Sequence, residues 1–256
     1  ASIDITRPDA VARALHGSRG VVNLVGAFAN MDAVHADGAG NIAAAAADAG
    51  VSALVHISAI GADPASPAVY GRSKAAGEAR VRDVFPDAII LRPSILFGAE
   101  DRFLNRFAEL IGALPVVPVI GARSRFQPLF VGDLAEAVGR AMEEPARFAG
   151  RTFELGGPEV VSMLDLNRWI AEQIGRERQF VEVPDVAAQA LAYGLGWAPG
   201  APITPDQLKM LGRDTVVAEG AEGIDAFGIA PRPMAAVAPG WLVRYRKHGR
   251  FAKRTA

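Results

Sequence analysis

The sequence lacks cysteine altogether, which excludes disulfide bonds, cysteine-ligated zinc, iron–sulfur clusters and a cysteine nucleophile. Its 4 histidines are scattered without the spacing of metal ligands, so no metal site is predicted. No apolar run reaches the roughly 18 residues that a membrane-spanning helix needs, and no such helix is predicted. The formal net charge of -1 provides no general attraction to nucleic acid, so no nucleic-acid partner is expected.

What the chain does contain is typical of a folded protein: 256 residues, of which 50% are hydrophobic and 21% charged. Short apolar runs at 21–25, 53–57 and 88–91 alternate with helical patterns at 41–49 and 70–84. This alternation predicts βαβ units and a parallel sheet covered by helices on both faces. We therefore predict an α/β fold with a doubly wound, mostly parallel sheet in residues 1–120.

Beyond residue 120 the pattern loosens and predicts a smaller C-terminal α/β lobe in residues 121–256. A short apolar run at 128–131 leads to Asp133, which suits the N-cap of a helix at 134–142. Ser162 and Asp165 have the spacing of a capping box, which predicts a helix over 163–174. A further helix is predicted near 205–211.

Tyr70 and Lys74 are the most informative pair in the sequence. Residues four apart on a helix share a face, so the phenol and the ammonium are expected to lie together. A nearby ammonium favours phenolate and lowers the tyrosine pKa from about 10, which would give a usable acid/base. Ser58, at the end of the preceding strand, places a hydroxyl where it could polarise a carbonyl. The alternative for the motif alone is a coincidental Tyr and Lys on an amphipathic helix.

Four short stretches resemble successive signatures of the extended or atypical short-chain dehydrogenases: residues 23–26, 56–58, 70–74 and 91–94. The longer stretch 85–105 is similar to one subgroup, the dehydrogenase-like, NADPH-binding accessory subunits of respiratory complex I. Residues 127–133 and 203–208 are similar to the same subgroup. The resemblance covers nearly the whole chain and implies a Rossmann-like fold that binds NADP(H) or NAD(H).

The resemblance also implies contacts along a cofactor crevice beyond the carboxyl ends of the strands. It implies that Asp4 and Ile5 lie near the adenine and that Asn23, Leu24, Val25 and Gly26 line the crevice. It also implies that Ser58, Tyr70 and Lys74 approach the nicotinamide ribose, and that Pro93, Ser94 and Ile95 pass beside the nicotinamide.

The family begins with a strand, a GxxGxxG turn and a helix whose N-terminus holds the pyrophosphate. This sequence has no such segment, and Gly38 and Gly40 open an alanine-rich helix without a strand directly before it. We therefore expect an N-terminal piece, the first βαβ unit, to be missing, and we expect the affinity for the dinucleotide to be weakened by its absence.

The C-terminal segment 241–256 carries six basic residues, no acidic residue and three interleaved aromatics. The basic residues are Arg244, Arg246, Lys247, Arg250, Lys253 and Arg254, and the aromatics are Trp241, Tyr245 and Phe251. Such a segment suits an anionic lipid surface or an acidic protein surface, and a solvated tail without a partner is equally compatible.

Two functional hypotheses follow. The first is an accessory subunit bound to the peripheral arm of complex I, at the inner face of the bacterial inner membrane or the matrix side in a eukaryote. Its cofactor would be mainly structural, with little or no independent turnover. The second is a stand-alone NAD(P)-dependent reductase or epimerase, for instance in ubiquinone biosynthesis. Ser58 would then orient the carbonyl, Tyr70 donate the proton, and Lys74 adjust the tyrosine pKa and hold the ribose.

Overall fold

The computed structural model describes residues 3–198, 201, 203–247 and 249. Its strands are β1 (Gly20–Asn23), β2 (Ala53–Ile57), β3 (Ile89–Pro93), β4 (Leu96–Phe97), β5 (Val116–Val119), β6 (Arg125–Phe126), β7 (Leu129–Phe130), β8 (Thr152–Leu155), β9 (Val161–Ser162) and β10 (Gln179–Glu182).

Its α-helices are α1 (Pro8–Leu15), α2 (Ala39–Asp48), α3 (Val69–Val84), α4 (Leu104–Ala113), α5 (Val131–Glu143), α6 (Pro145–Phe148), α7 (Met163–Gln173), α8 (Asp185–Leu195), α9 (Pro205–Leu211), α10 (Met234–Val237) and α11 (Pro239–Leu242). A π-helical segment, Asp32–Gly38, runs directly into α2, and short 3₁₀ helices occupy Ile224–Phe227 and Val243–Tyr245. None of the helices in the described part of the chain is long and apolar enough to span a membrane.

The chain forms two compact units that interleave along the sequence. The first unit contains the described residues up to Pro93 together with Asp133–Leu155 and Val217–Ala230. The second contains Ser94–Gly132, Gly156–Val216 and the described residues from Pro231 onward. Residue 120 lies in the segment Ser94–Gly132 of the second unit, and most of α5 and all of β8 belong to the first unit.

The first unit is built on a four-stranded sheet in the order β1-β2-β3-β8, with every neighbouring pair parallel. Val55, Ile90 and Phe153 are fully buried, as expected for strands covered on both faces. Because the strands are parallel, their carboxyl ends meet at one edge, where β1 and β2 place Asn23 and Ile57. The predicted Rossmann-like α/β architecture is confirmed, and this edge carries the candidate site.

Helices α2 and α3 pack closely because small residues line their contact. Ala43 and Ala46 of α2 are completely buried, and Gly77 of α3 lies against the carbonyl oxygen of His35. A Cβ at position 77 would collide with that carbonyl, so only glycine allows this approach. The contact holds the π-helical segment against α3, beside Tyr70 and Lys74.

The second unit contains three two-stranded ladders: β5 with β10 and β4 with β7, both parallel, and β6 with β9, antiparallel. Its core is formed mainly by α4, α7 and α10–α11, with Leu104, Ile111, Leu166 and Ile170 fully buried. Trp169, on α7, packs partly buried against this core.

The predicted helices over 163–174 and 205–211 are observed as α7 and α9. Ser162 caps α7 as expected, since its Oγ accepts the Asp165 N–H at 3.1 Å. The N-cap assigned to Asp133 is wrong: α5 begins two residues earlier, at Val131, and Asp133 lies buried within its first turn.

Candidate cofactor site at the carboxyl edge of the sheet

Asn23 ties the ends of β1 and β2 together. Its Oδ1 accepts the Val25 N–H at 3.1 Å, which leaves its Nδ2 to donate to His56 Nδ1 at 3.0 Å. Since His56 Nδ1 accepts, its proton resides on Nε2. Burial lowers the pKa of His56 to about 3, so this residue is a neutral core histidine rather than a base.

Tyr70 and Lys74 lie on one face of α3, as their spacing predicts. The Lys74 side chain is buried, with Nζ 5.9 Å from the centre of the Tyr70 ring. Its ammonium donates to the Ile57 carbonyl oxygen, at the end of β2, at 3.2 Å. The helix thereby presents an amine and a phenol at the carboxyl edge of the sheet.

The expected lowering of the tyrosine pKa is not found. Burial raises the pKa of Tyr70 above its ordinary value of 10.0. Burial also lowers the pKa of Lys74 to about 8, against the opposing effect of the Glu78 carboxylate. Burial thus disfavours the charged forms of both groups, where sequence reasoning expected an activated phenol.

Ser58 is buried, and its Oγ has no hydrogen-bond partner among the described residues. The same holds for His56 Nε2, which carries a proton. Residues two apart on an extended segment point to the same side, so two unfilled donors lie near each other at the end of β2. Buried polar groups are normally paired, and this edge can therefore accept hydrogen-bonding groups from a ligand.

Gly26 keeps the space next to Lys74 open. A Cβ at this position would lie 3.7 Å from Lys74 Nζ and 4.0 Å from His35 Nε2, filling the gap between the loop and the amine. Leu24 and Val25, which precede it, are exposed. The predicted crevice residues thus form a loop that borders Lys74 at Gly26 and faces solvent at Leu24.

Two residues that sequence reasoning missed enclose Tyr70. Phe28 stacks on the tyrosine ring with centroids 5.3 Å apart, and the His35 ring meets it edge-on at 5.4 Å. Phe28 is itself two-thirds exposed, whereas His35 is buried. Neither belongs to a recognisable sequence motif, because both lie far from Tyr70 along the chain.

Asp4 and Ile5 take different positions in the first unit. Asp4 is exposed, its carboxylate accepts from the backbone and hydroxyl of Thr6, and these hydrogen bonds lower its pKa. It lines a shallow depression of about 430 Å³ with Asn30 and Val34. The Ile5 side chain is buried in the core and packs against Gly38, and its backbone carbonyl accepts from Asn41 Nδ2 at 2.9 Å.

The segment from Pro93 to Ile95 is held by internal contacts. The Pro93 carbonyl accepts the Ile60 N–H at 3.1 Å within the first unit. In the second unit, Ser94 is buried and its Oγ donates to the Thr215 carbonyl at 2.7 Å, while the Ile95 carbonyl accepts the Leu129 N–H. The Ser94 hydroxyl is therefore already used within its own unit.

The C-terminal aromatics that are described pack inward. Trp241 lies near Phe97 with ring centroids 6.3 Å apart, and Tyr245 donates to Asn105 at 3.0 Å. Arg244 is exposed and donates to the Ala99 carbonyl. Of the predicted basic and aromatic tail, Arg250, Phe251, Lys253 and Arg254 lie outside the described residues.

The residues at the carboxyl edge fit the ribose end of a nicotinamide cofactor. An unfilled buried hydroxyl, a buried amine and an open space at a glycine are what a ribose and its linkage need. Gly38 and Gly40 offer no helix N-terminus for a pyrophosphate, since the π-helical segment continues into α2. No group of three or more potential metal ligands occurs within the described ranges.

Residues 1–193 match the family model described as the RmlD substrate binding domain. The chain is 29% identical over 94% of its length to NADH dehydrogenase [ubiquinone] 1 alpha subcomplex subunit 9 of Arabidopsis thaliana, and 33% identical over 96% to that of Rattus norvegicus. It spans about two thirds of these mitochondrial relatives, 64% and 67%. Its fold is similar to Citrobacter triphenylmethane reductase complexed with NADP(H): TM-score 0.74, 15% identity, covering 93% of this chain and 82% of that one.

Proposed function

Because the chain belongs to the RmlD substrate binding domain family, with the fold of the extended short-chain dehydrogenases, we propose that it is a NAD(P)H-binding accessory subunit of complex I. The observation that carries this proposal is the similarity, over nearly the whole chain, to the same subunit of NADH dehydrogenase [ubiquinone] in two organisms. The proposed partners are peripheral-arm subunits, and the proposed location is peripheral, at the membrane face from which that arm projects.

The cofactor residues proposed for this chain follow the edge of the sheet. Ser58 and Lys74 donate to the nicotinamide ribose, Tyr70 lies next to them, and the loop from Asn23 through Leu24, Val25 and Gly26 lines the crevice. Asp4 and the Ile5 backbone border the adenine, and Pro93, Ser94 and Ile95 pass beside the nicotinamide. This assignment is supported by the buried amine of Lys74 and the unfilled hydroxyl of Ser58.

The cofactor acts mainly as a structural ligand in this proposal. A bound nicotinamide can supply or accept a hydride, and turnover would also need a proton donor with a pKa near neutrality. Tyr70 has a raised pKa, and Phe28 covers one face of its ring. A ligand that binds only the folded state stabilises it by mass action, which needs no turnover.

An exposed apolar helix supports a subunit rather than a free protein. From Val186 to the end of α8 there is no charged residue, and Val186, Tyr193 and, just beyond the helix, Trp197 are 79%, 61% and 82% exposed. Val186 and Tyr193, seven residues apart, lie on one face of α8, and Trp197 follows shortly after its end. Contiguous exposed apolar and aromatic side chains are typical of surfaces that a partner covers.

Replacing Tyr193 and Trp197 together by serine is expected to remove the protein from complex I without unfolding it. Both side chains are largely exposed, so the free energy of unfolding should change by less than about 0.5 kcal/mol. The measurement is co-migration with NADH:quinone reductase activity on native gels, beside urea unfolding. The control is Val84→Ser, another exposed apolar residue, on α3. A double variant that co-migrates like the wild type would contradict the role of α8.

The second candidate function is a stand-alone NAD(P)-dependent reductase or epimerase, favoured by the presence of Ser58, Tyr70 and Lys74 together. The purified protein is expected to bind NADPH without oxidising it in the presence of a panel of quinones and carbonyl compounds. Turnover that Tyr70→Phe abolishes would replace the structural proposal by the enzymatic one.

A further inference from the structure

His35 stands at the centre of a chain of hydrogen bonds that none of the proposed roles uses. Its Nε2 lies 3.0 Å from the Ala27 backbone nitrogen, and its Nδ1 lies 2.8 Å from Ser73 Oγ. Ser73 Oγ in turn donates to the Tyr70 carbonyl at 3.0 Å. The imidazole therefore connects the loop that follows β1 to the first turn of α3.

The partners determine the tautomer of His35. A backbone N–H can only donate, so Nε2 must be the accepting nitrogen and the proton must reside on Nδ1. Nδ1 then donates to Ser73 Oγ, whose own proton goes to the Tyr70 carbonyl. Each donor in the series meets an acceptor only when the imidazole is neutral.

The surroundings of His35 keep it neutral. Burial, with the Lys74 ammonium of α3, lowers its pKa to about 4, while Asp32 of the π-helical segment acts in the opposite direction. His56 faces it from β2 and is itself neutral. The link to Ala27 thus holds throughout the neutral pH range.

The loop held by this link is the part of the chain that borders the amine and the phenol. Gly26 precedes Ala27 and lies beside Lys74, and Phe28 follows it and stacks on Tyr70. Without an acceptor for the Ala27 N–H, both neighbours would lose a fixed position. The His35 ring also contacts the Tyr70 ring directly.

We propose that His35 is a positioning residue of the cofactor site, which accepts the Ala27 N–H and thereby holds residues 24–28 against Tyr70 and Lys74. This inference rests on the proposed cofactor binding and adds a residue to that site. His35 itself touches no cofactor in this role; it acts through the loop.

Two substitutions test the hydrogen bonds of the two ring nitrogens separately. In His35→Gln the side-chain oxygen can occupy the place of Nε2 and accept the Ala27 N–H, but the donor to Ser73 is lost. In His35→Asn the amide nitrogen can occupy the place of Nδ1 and donate to Ser73, but the acceptor for Ala27 is lost. The two variants differ mainly in which neighbour they still reach.

The measurement is the dissociation constant for NADPH, from its fluorescence on titration with wild type and both variants, combined with hydrogen exchange of the Ala27 amide. We expect His35→Gln to bind within about threefold of wild type and to protect the Ala27 amide. We expect His35→Asn to bind ~10-fold more weakly, with faster exchange at Ala27, because the partly buried Ala27 N–H loses its acceptor and the loop loses its fixed position.

The outcomes distinguish this inference from the proposed function. Failure of the wild type to bind NADPH would overturn the proposed cofactor site and, with it, the role of His35. Binding by the wild type with equal affinity in both variants would overturn the role of His35 alone. Equal weakening in both variants would also overturn it, because a purely structural role does not distinguish Gln from Asn.

Discussion

Replacing Lys74 with methionine is expected to stabilise the protein at pH 7 while removing most of its affinity for the dinucleotide. The Lys74 pKa is lowered from 10.5 to about 8 by burial, so the folded protein at pH 7 holds an ammonium that would be better solvated in the unfolded chain. Methionine has a similar length and no charge. The gain in the free energy of unfolding should be on the order of 2 kcal/mol at pH 7.

The difference in the free energy of unfolding between wild type and Lys74→Met depends on pH in a defined direction. Between pH 8 and 10.5 the folded protein has released the Lys74 proton while the unfolded chain still binds it, so the stability of the wild type should rise with pH relative to the variant. The advantage of Lys74→Met is therefore largest at pH 7 and disappears by about pH 10.5. Urea unfolding across this range measures it.

The loss of affinity follows from the same amine. A hydrogen bond to a charged group contributes more than a neutral one, and removing it should weaken NADPH binding by at least ~10-fold. The control is Lys209→Met, at an exposed lysine of α9, which should change neither property. A Lys74→Met variant that is less stable than the wild type would show that the buried ammonium is a net stabilising contact, contrary to this expectation.

Replacing Arg92 with methionine is expected to cost about 3 kcal/mol or more in the free energy of unfolding, because it removes the guanidinium from the enclosed Glu78 carboxylate and leaves Glu154 with the Ala218 N–H as its hydrogen-bond donor. Arg92 donates twice to Glu78, at 2.8 and 2.6 Å, and lies 3.5 Å from Glu154. The Glu78 and Glu154 side chains are only 10% and 14% exposed. The guanidinium also joins α3 to β3 and β8, so its loss affects the sheet that carries the site.

A matched control lies nearby in the same unit. Arg151 is paired with Glu222, but these side chains are 39% and 47% exposed. Solvent can replace the pairing, so Arg151→Met should lower the free energy of unfolding much less than Arg92→Met does. Urea unfolding of both variants at neutral pH measures the difference. If both variants lost the same free energy of unfolding, burial of the Arg92 ion pairs would not contribute to stability as expected.

The fold was largely predictable because its determinants are local. The apolar run at 53–57 coincides with β2 and the run at 88–91 overlaps β3, and the Ser162 cap correctly predicted the start of α7. The division into two units was not predictable in the same way. It depends on α5 and β8 returning to a sheet formed much earlier in the chain, which no local pattern encodes.

The site was predictable only in part. The spacing of Tyr70 and Lys74 determines that they share a helical face, and that is observed. Their pKa directions depend on burial, which tertiary packing produces. Phe28 and His35, which contact the Tyr70 ring, are 42 and 35 positions away from it along the chain. Sequence spacing indicates proximity of charges, but it does not indicate how much water is excluded around them.

The central claim is that this chain functions as a subunit of complex I, and native-gel co-migration tests it most directly. The chromosomal copy is tagged, the membranes are solubilised gently, and the tag is compared with NADH:quinone reductase activity on the gel. The account predicts that tag and activity migrate together. A tag found only in the soluble fraction, at the size of a monomer or dimer, would contradict it.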